Sequence, residues 1–229
     1  MAVPIFKSIY LMKNVLIITG YSASGKSTLA ENVCITLGNP LISTRKLLSE
    51  LAVIEGYQNI DSFVDTIPKE KFKKLFDNYL IRKINTVDLY SNLLIIDGLV
   101  SFNLLKQLIK NGKYNIKIIY IEVPEKERFR RILEREKIQL ETAIIKDHKK
   151  NNSKRFLGIE RIKNMADYIL DGTLTPLELL YKTVEIINKI TYKVHDKHLY
   201  NNFLGDRLFR MQFLLFNLIQ NVTAVRFNI

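Results

Sequence analysis

Tryptophan is absent from this chain of 229 residues, and cysteine occurs once, at Cys34. A single thiol excludes an intramolecular disulfide framework and fits a reducing compartment. Cys34 falls in a segment with helical spacing, where burial is the plain reading and thiol chemistry the rarer one. Glycine (9) and proline (5) are scarce, and no low-complexity tract or internal repeat is present, which excludes collagen-like and disordered compositions. No apolar run reaches the ~18 to 20 residues that a membrane-spanning helix needs, so no membrane partner is expected. Residues Met1 to Lys13 lack the long apolar stretch and small-residue cleavage site of a secretion signal. The expected location is the cytoplasm, or its viral or organellar equivalent.

Acids are the other shortage. Asp and Glu total 23 against 35 Lys and Arg, a net charge of +12. Phosphorylated substrates favour basic sites, and so does a nucleic-acid backbone. A lysine-rich chain also arises from genome base bias alone, so the charge leaves the partner open. The 47% apolar content supports a packed core, and the length suits one α/β domain with extensions.

Short β-branched runs read as strands buried on both faces: Val15 to Thr19, Leu93 to Asp97, and Ile116 to Val123. Leu41-Ile42-Ser43 and Ala166 to Leu170 read as two shorter strands. Helices are expected between them. One runs from Lys26 to about Leu37 and stops at Gly38-Asn39-Pro40. Others pass through Leu47 to Ala52, through Asp61 to Asp88 with Pro68 opening the longer piece, through Phe102 to Lys110, and through Glu125 to Lys137. Further helices are expected over Gln139 to Asn164 and from Thr175 to near Ile190. Alternating strands and helices imply an α/β fold with a parallel sheet covered by helices on both faces, and ligands bind such a sheet at the carboxyl ends of its strands.

Gly20-Tyr21-Ser22-Ala23-Ser24-Gly25-Lys26-Ser27 matches G-x-x-x-x-G-K-[ST] in full, between a strand and a helix. Glycines permit a tight path on which successive N–H groups point at phosphate oxygens, and the helix start adds its positive end. Gly20, Ser22, Ala23, Ser24, Gly25, Lys26, Ser27 and Thr28 are therefore the expected phosphate cradle of ATP. Lys26 should reach the β- and γ-phosphates, and the Ser27 hydroxyl should ligate Mg²⁺. Asp97, at the end of a buried strand, suits the second Mg²⁺ contact or the orientation of an acceptor hydroxyl. A plain Asp-Gly turn is the alternative. Arg128, Arg131 and Arg135 share one helical face, where arginines could close over a γ-phosphate. The other reading is a solvated face with Glu127–Arg131 and Arg130–Glu134 pairs. Arg155 and Arg161 are weaker candidates for the same work. His148, His195 and His198 are scattered with no cysteine partner, so a zinc site is not expected.

This set of motifs resembles the P-loop kinases of small molecules, the group of adenylate kinase, other nucleoside monophosphate kinases and dephospho-CoA kinase. The resemblance spans about residues 14 to 190, through Gly20 to Thr28, Leu41-Ile42-Ser43-Thr44, Ile95-Ile96-Asp97-Gly98, Arg128 to Arg135, and Ala166-Asp167-Tyr168-Ile169. It implies an ATP- and Mg²⁺-dependent phosphotransferase with a helical acceptor insertion over 44–88 and a lid over 135–160. Residues 1–13 and 191–229 are then terminal extensions. The tail holds Leu199, Phe203, Leu208, Phe209, Phe213, Leu214 and Phe216, an apolar helix for the core or for a dimer contact. Two departures stand out. Adenylate kinase-like chains read Ser-Thr-Gly-Asp-x-x-x-Arg where this chain has Ser43-Thr44-Arg45-Lys46-Leu47-Leu48-Ser49. They also follow Asp-Gly with Phe-Pro-Arg, where Leu99-Val100-Ser101 stands here. The expected acceptor is a nucleotide-like small molecule. The alternatives are a nucleic-acid terminus or modified base, a nucleotide-dependent switch or assembly ATPase, and an inactive scaffold.

Overall fold

The computed structural model describes residues 13–87 and 93–191. Its first strand, β1 (Lys13–Gly20), is buried continuously from Val15 onward, as a strand covered on both faces must be. The remaining strands are β2 (Leu41–Ser43), β3 (Leu93–Asp97), β4 (Tyr114–Glu122) and β5 (Tyr168–Asp171). They form a parallel sheet in the order β2-β3-β1-β4-β5. With β1 central, its carboxyl end meets those of β3 and β4, where a parallel α/β sheet places its ligand site.

Side chains alternate across the pleat and divide the core into two layers. Val15 and Ile17 join Leu94, Ile96, Leu104, Leu105 and Leu108 on one side. Leu16 and Ile18 join Ile95, Ile119, Leu29, Val33 and Ile187 on the other. The helices covering these faces are α1 (Lys26–Leu37), α4 (Lys69–Thr86), α5 (Phe102–Lys110), α8 (Ile159–Asn164) and α9 (Pro176–Thr191). Between β2 and β3 lie α2 (Thr44–Ile54), α3 (Ile60–Thr66) and α4. Leu51, Ala52, Phe63 and Ile67 give this helical group its own small buried cluster. Phe72 stacks on Phe76 and meets Phe63 edge-on.

Local chemistry sets the helix ends where the sequence signals them. Gly38 adopts φ 65° and closes α1 by donating its N–H to Cys34, a conformation that costs glycine little. Ser43, Asn59 and Ser101 cap α2, α3 and α5 with their side chains. One expected element divides: Gln139 to Asn164 forms α7 (Leu140–Leu157) and α8, separated at Gly158 with φ 96°. A Cβ at Gly158 would lie 2.7 Å from the Phe102 Cβ, so glycine lets the chain turn against α5. Glu125–Glu136 forms α6. No helix among the described residues is long and apolar enough to cross a membrane. The apolar tail beyond Thr191 and the first twelve residues lie outside the described residues.

Candidate phosphate site

The turn between β1 and α1 contains two left-handed residues, Ala23 (φ 57°) and Gly25 (φ 87°). Such residues set among right-handed ones aim neighbouring N–H groups into one concavity, an anion nest. Gly20 is required by packing, because a Cβ there would sit 2.6 Å from the Ile121 carbonyl oxygen. Ser24 Oγ is buried beside it and has no hydrogen-bond partner. Ser27 and Thr28 stand exposed in the first turn of α1.

Asp97 comes to this loop through sheet register. Ile18 pairs with Asp97, and the Gly98 N–H donates to the Ile18 carbonyl at 2.9 Å. The Asp97 carboxylate is buried. Its Oδ2 accepts weakly from Ser43 Oγ at 3.5 Å, and its Oδ1 is buried with no hydrogen-bond partner among the described residues. An ionised oxygen without a donor is costly away from water. A hard divalent cation takes oxygen ligands of this kind, so the orphaned Asp97 oxygen and the exposed Ser27 hydroxyl fit a Mg²⁺ ion. Lys26 Nζ donates to the Tyr21 carbonyl at 3.3 Å. Burial pushes its pKa down, Asp97 opposes that shift, and Arg45 and Arg135 add repulsion.

The second wall is α7, which reaches the loop through a string of buried polar groups. Arg128 on α6 donates to both oxygens of Asp147, from Nε at 3.2 Å and Nη2 at 3.0 Å, and from Nη1 to the Val123 carbonyl at 3.1 Å. Asn151, one turn beyond Asp147, donates to Asp147 Oδ1 at 2.7 Å and accepts from the Ser22 N–H at 2.9 Å. Asp147 and Asn151 are fully buried and Arg128 nearly so. One turn further, Lys154 Nζ donates to the Gly20 carbonyl at 3.3 Å. Burial drives the Lys154 pKa well below its usual value, and neighbouring Lys26 lowers it further. Two lysine amino groups thus rest on adjacent carbonyls of one phosphate loop.

The three arginines expected to act together are separated. Arg128 is committed to Asp147. Arg131 binds Glu127 at 2.8 Å, the Gly172 carbonyl at 2.7 Å and the Ala23 carbonyl at 3.4 Å, linking the loop to the turn after β5. Arg135 is exposed and pairs with Glu136. Arg155 donates to the Tyr21 hydroxyl, and Arg161 lies over the Phe102 ring. Both side-chain pairs that helical spacing offers, Glu127–Arg131 and Arg130–Glu134, are formed.

Sequence reasoning did not single out Asp147, Asn151, Lys154 or Arg45 for this site. The first three recur at i, i+4 and i+7, one face of a helix, but in a polar segment that spacing does not announce burial. Arg45 follows Ser43-Thr44, where Thr44 Oγ1 donates to the Gly98 carbonyl at 3.0 Å and anchors the start of α2 beside the loop.

A family model described as an AAA domain matches residues 16–158, more than half of the chain. The chain belongs to the AAA domain family. This AAA domain chain is 24% identical over 188 residues to a UPF0200/UPF0201 protein of Archaeoglobus fulgidus, covering 80% of its own length. It spans 58% of the length of that curated relative. Among solved structures it is similar to shikimate kinase from Aquifex aeolicus (TM-score 0.52, 18% identity, 77% of this chain and 98% of that one). It is also similar to TT1252 from Thermus thermophilus (TM-score 0.55, 16% identity, 78% and 97%). A shikimate kinase from Acinetobacter baumannii, solved with shikimate, aligns with TM-score 0.52 and 15% identity over 82% and 99%. At these identities the likeness is one of fold. The AAA domain chain has the fold of the P-loop small-molecule kinases, a nucleotide-binding fold.

Proposed function

We propose that this chain is an ATP- and Mg²⁺-dependent kinase that transfers the γ-phosphate to a nucleotide-like acceptor. One observation carries the reading: Lys26 and Lys154 crowd onto adjacent loop carbonyls, next to a buried Asp97 oxygen that lacks any partner. A polyanion favours the charged form of two basic groups crowded together with depressed pKa values. A triphosphate placed in the nest would meet both lysines and the start of α1. Ser27 and Asp97 would hold Mg²⁺, which when bound offsets negative charge on the phosphates.

The chain's own groups then have separate tasks. In the transfer, a bond forms between the acceptor oxygen and the γ-phosphorus while the β–γ bridging bond breaks, leaving ADP. Any proton on the acceptor oxygen passes to solvent. Catalysis of this kind rests on positioning and charge neutralisation. Lys26 and Lys154 neutralise phosphate charge. Arg128 acts at one remove: with Asp147 and Asn151 it holds α7 against Ser22, which keeps Lys154 in place. Arg131 braces the loop against the turn after β5, and Arg45 and Arg135 add positive potential around Lys26. Residues 44–86 bound the acceptor side, and α7 covers the donor side.

A radiolabelled-ATP transfer screen over nucleosides, nucleotides, dephospho-CoA, DNA and RNA tests the proposal. Label should move to at least one acceptor in the presence of Mg²⁺ and not with Lys26→Ala. Slow ATP hydrolysis at one rate with every acceptor would replace the kinase by a switch ATPase.

A further inference from the structure

Outside the phosphate site, positive charge without a salt-bridge partner among the described residues collects on one flank. A groove of about 370 Å³ lies between α4 and α5, lined by Lys73, Asn103, Lys106, Gln107 and Lys110. Among the described residues no carboxylate forms a salt bridge with any of the three lysines; the acid that feels Lys73 is the buried Asp77. The two helices explain this. Helix α5 contains no acid at all, and α4 sets Lys69, Lys71, Lys73, Lys74, Arg82 and Lys83 against Glu70 and Asp77. The basic face of α6 and α7 is different, since Glu127, Glu134 and Glu136 neutralise Arg130, Arg131, Arg135, Lys146 and Lys150.

Towards the phosphate site the flank becomes aromatic. Phe102 opens α5 just past Asp97-Gly98, with Lys106 and Arg161 at 5.1 and 5.5 Å from its ring centre. Phe156 is 75% exposed, with Lys69 of α4 at 5.3 Å from its ring. Phe102 is partly buried against the core and Phe156 stands exposed; aromatic rings beside a cationic track are what unpaired bases and a phosphodiester backbone bind. A mononucleotide fills only the cleft and leaves Lys73, Lys106 and Lys110 without a counter-ion among the described residues.

We infer that this flank binds a single-stranded nucleic acid, whose end enters the cleft as the phosphate acceptor. The second clause rests on the kinase reading; the binding surface does not. Amide side chains at Asn103 and Gln107 offer donors to phosphate oxygens between the lysines. Each neutralised phosphate of a single strand contributes about −0.7 to the salt slope of the affinity, so the three groove lysines contribute about −2.

The test is fluorescence anisotropy of the full chain with labelled single-stranded DNA and RNA 15-mers, between 50 and 200 mM salt. Lys106→Glu/Lys110→Glu should weaken binding at least tenfold and flatten the slope by about 1.4. Lys182→Glu/Lys189→Glu, equally exposed on α9, should change affinity less than twofold. No binding at 50 mM salt, equal losses from the two charge reversals, or a preference for polyglutamate would each overturn the proposal. The two readings fail separately. A bound strand with no phosphate transfer sinks the kinase, whereas transfer to free mononucleotides without strand binding sinks the groove.

Discussion

Replacing Asp147 by Asn is the most searching perturbation of the link between α7 and the phosphate loop. The substitution keeps the shape but removes the charge and turns one acceptor into a donor facing the Arg128 guanidinium. Arg128 is 5% exposed and Asp147 0%, so water cannot replace the lost partner. Removing one member of a buried ion pair costs on the order of 3 to 5 kcal/mol. Arg128 retains the Val123 carbonyl at 3.1 Å and Glu125 at 3.6 Å, which places the expected loss near the lower end, about 3 kcal/mol. For a chain of this size that lowers Tm by roughly 6 to 12 °C. Urea unfolding followed by circular dichroism measures it, and Arg128→Met, Asp147→Leu and Arg128→Met/Asp147→Leu form the matching double-mutant cycle. The double variant should recover most of the loss, since a well-packed apolar pair substitutes for a buried ion pair at little cost. A deficit under about 1 kcal/mol for Asp147→Asn, or strict additivity of the two single changes, would refute the buried-pair account.

Lys26→Ala should lower transfer about a thousandfold, some 4 kcal/mol of transition-state stabilisation, without changing the melting curve; more than a tenth of parental activity would remove Lys26 from its role. Lys154→Met should weaken both ATP affinity and turnover by about ten- to a hundredfold, read by calorimetry and initial rates, and parental values for both would leave Lys154 a merely structural contact. Asp97→Asn should shift the Mg²⁺ concentration that gives half-maximal rate upward with little change in nucleotide affinity; an unchanged Mg²⁺ response would assign Asp97 to the turn. At Asp77, burial raises the carboxyl pKa from 3.8 to about 6. The unfolded chain therefore loses that proton first, and stability falls as pH rises through this window. Asp77→Asn should accordingly gain on the order of 1 to 3 kcal/mol at pH 7.5 and nothing near pH 3.5, and an equal gain at both pH values would contradict the titration.

Local interactions determine much of this molecule, and those were legible in the sequence. Buried strands declared themselves as β-branched runs, because a strand covered on both faces has no polar position to interrupt it. Gly38 and Pro68 mark helix ends through backbone chemistry that acts within a few residues. The phosphate loop is legible for the same reason: its nest, its lysine and its serine all lie in one eight-residue stretch. Tertiary structure alone decided which distant groups meet that stretch. Arg128, Arg131 and Arg135 share a helical face in the sequence, yet packing against Asp147, against Gly172 and against solvent gives each a different neighbourhood. Lys154 is separated from Gly20 by 134 positions, and no spacing rule connects them. Their contact exists because the Arg128–Asp147–Asn151 string seats α7 on Ser22, an arrangement in which buried charges and amides pair with groups far apart in sequence, which local periodicity does not encode.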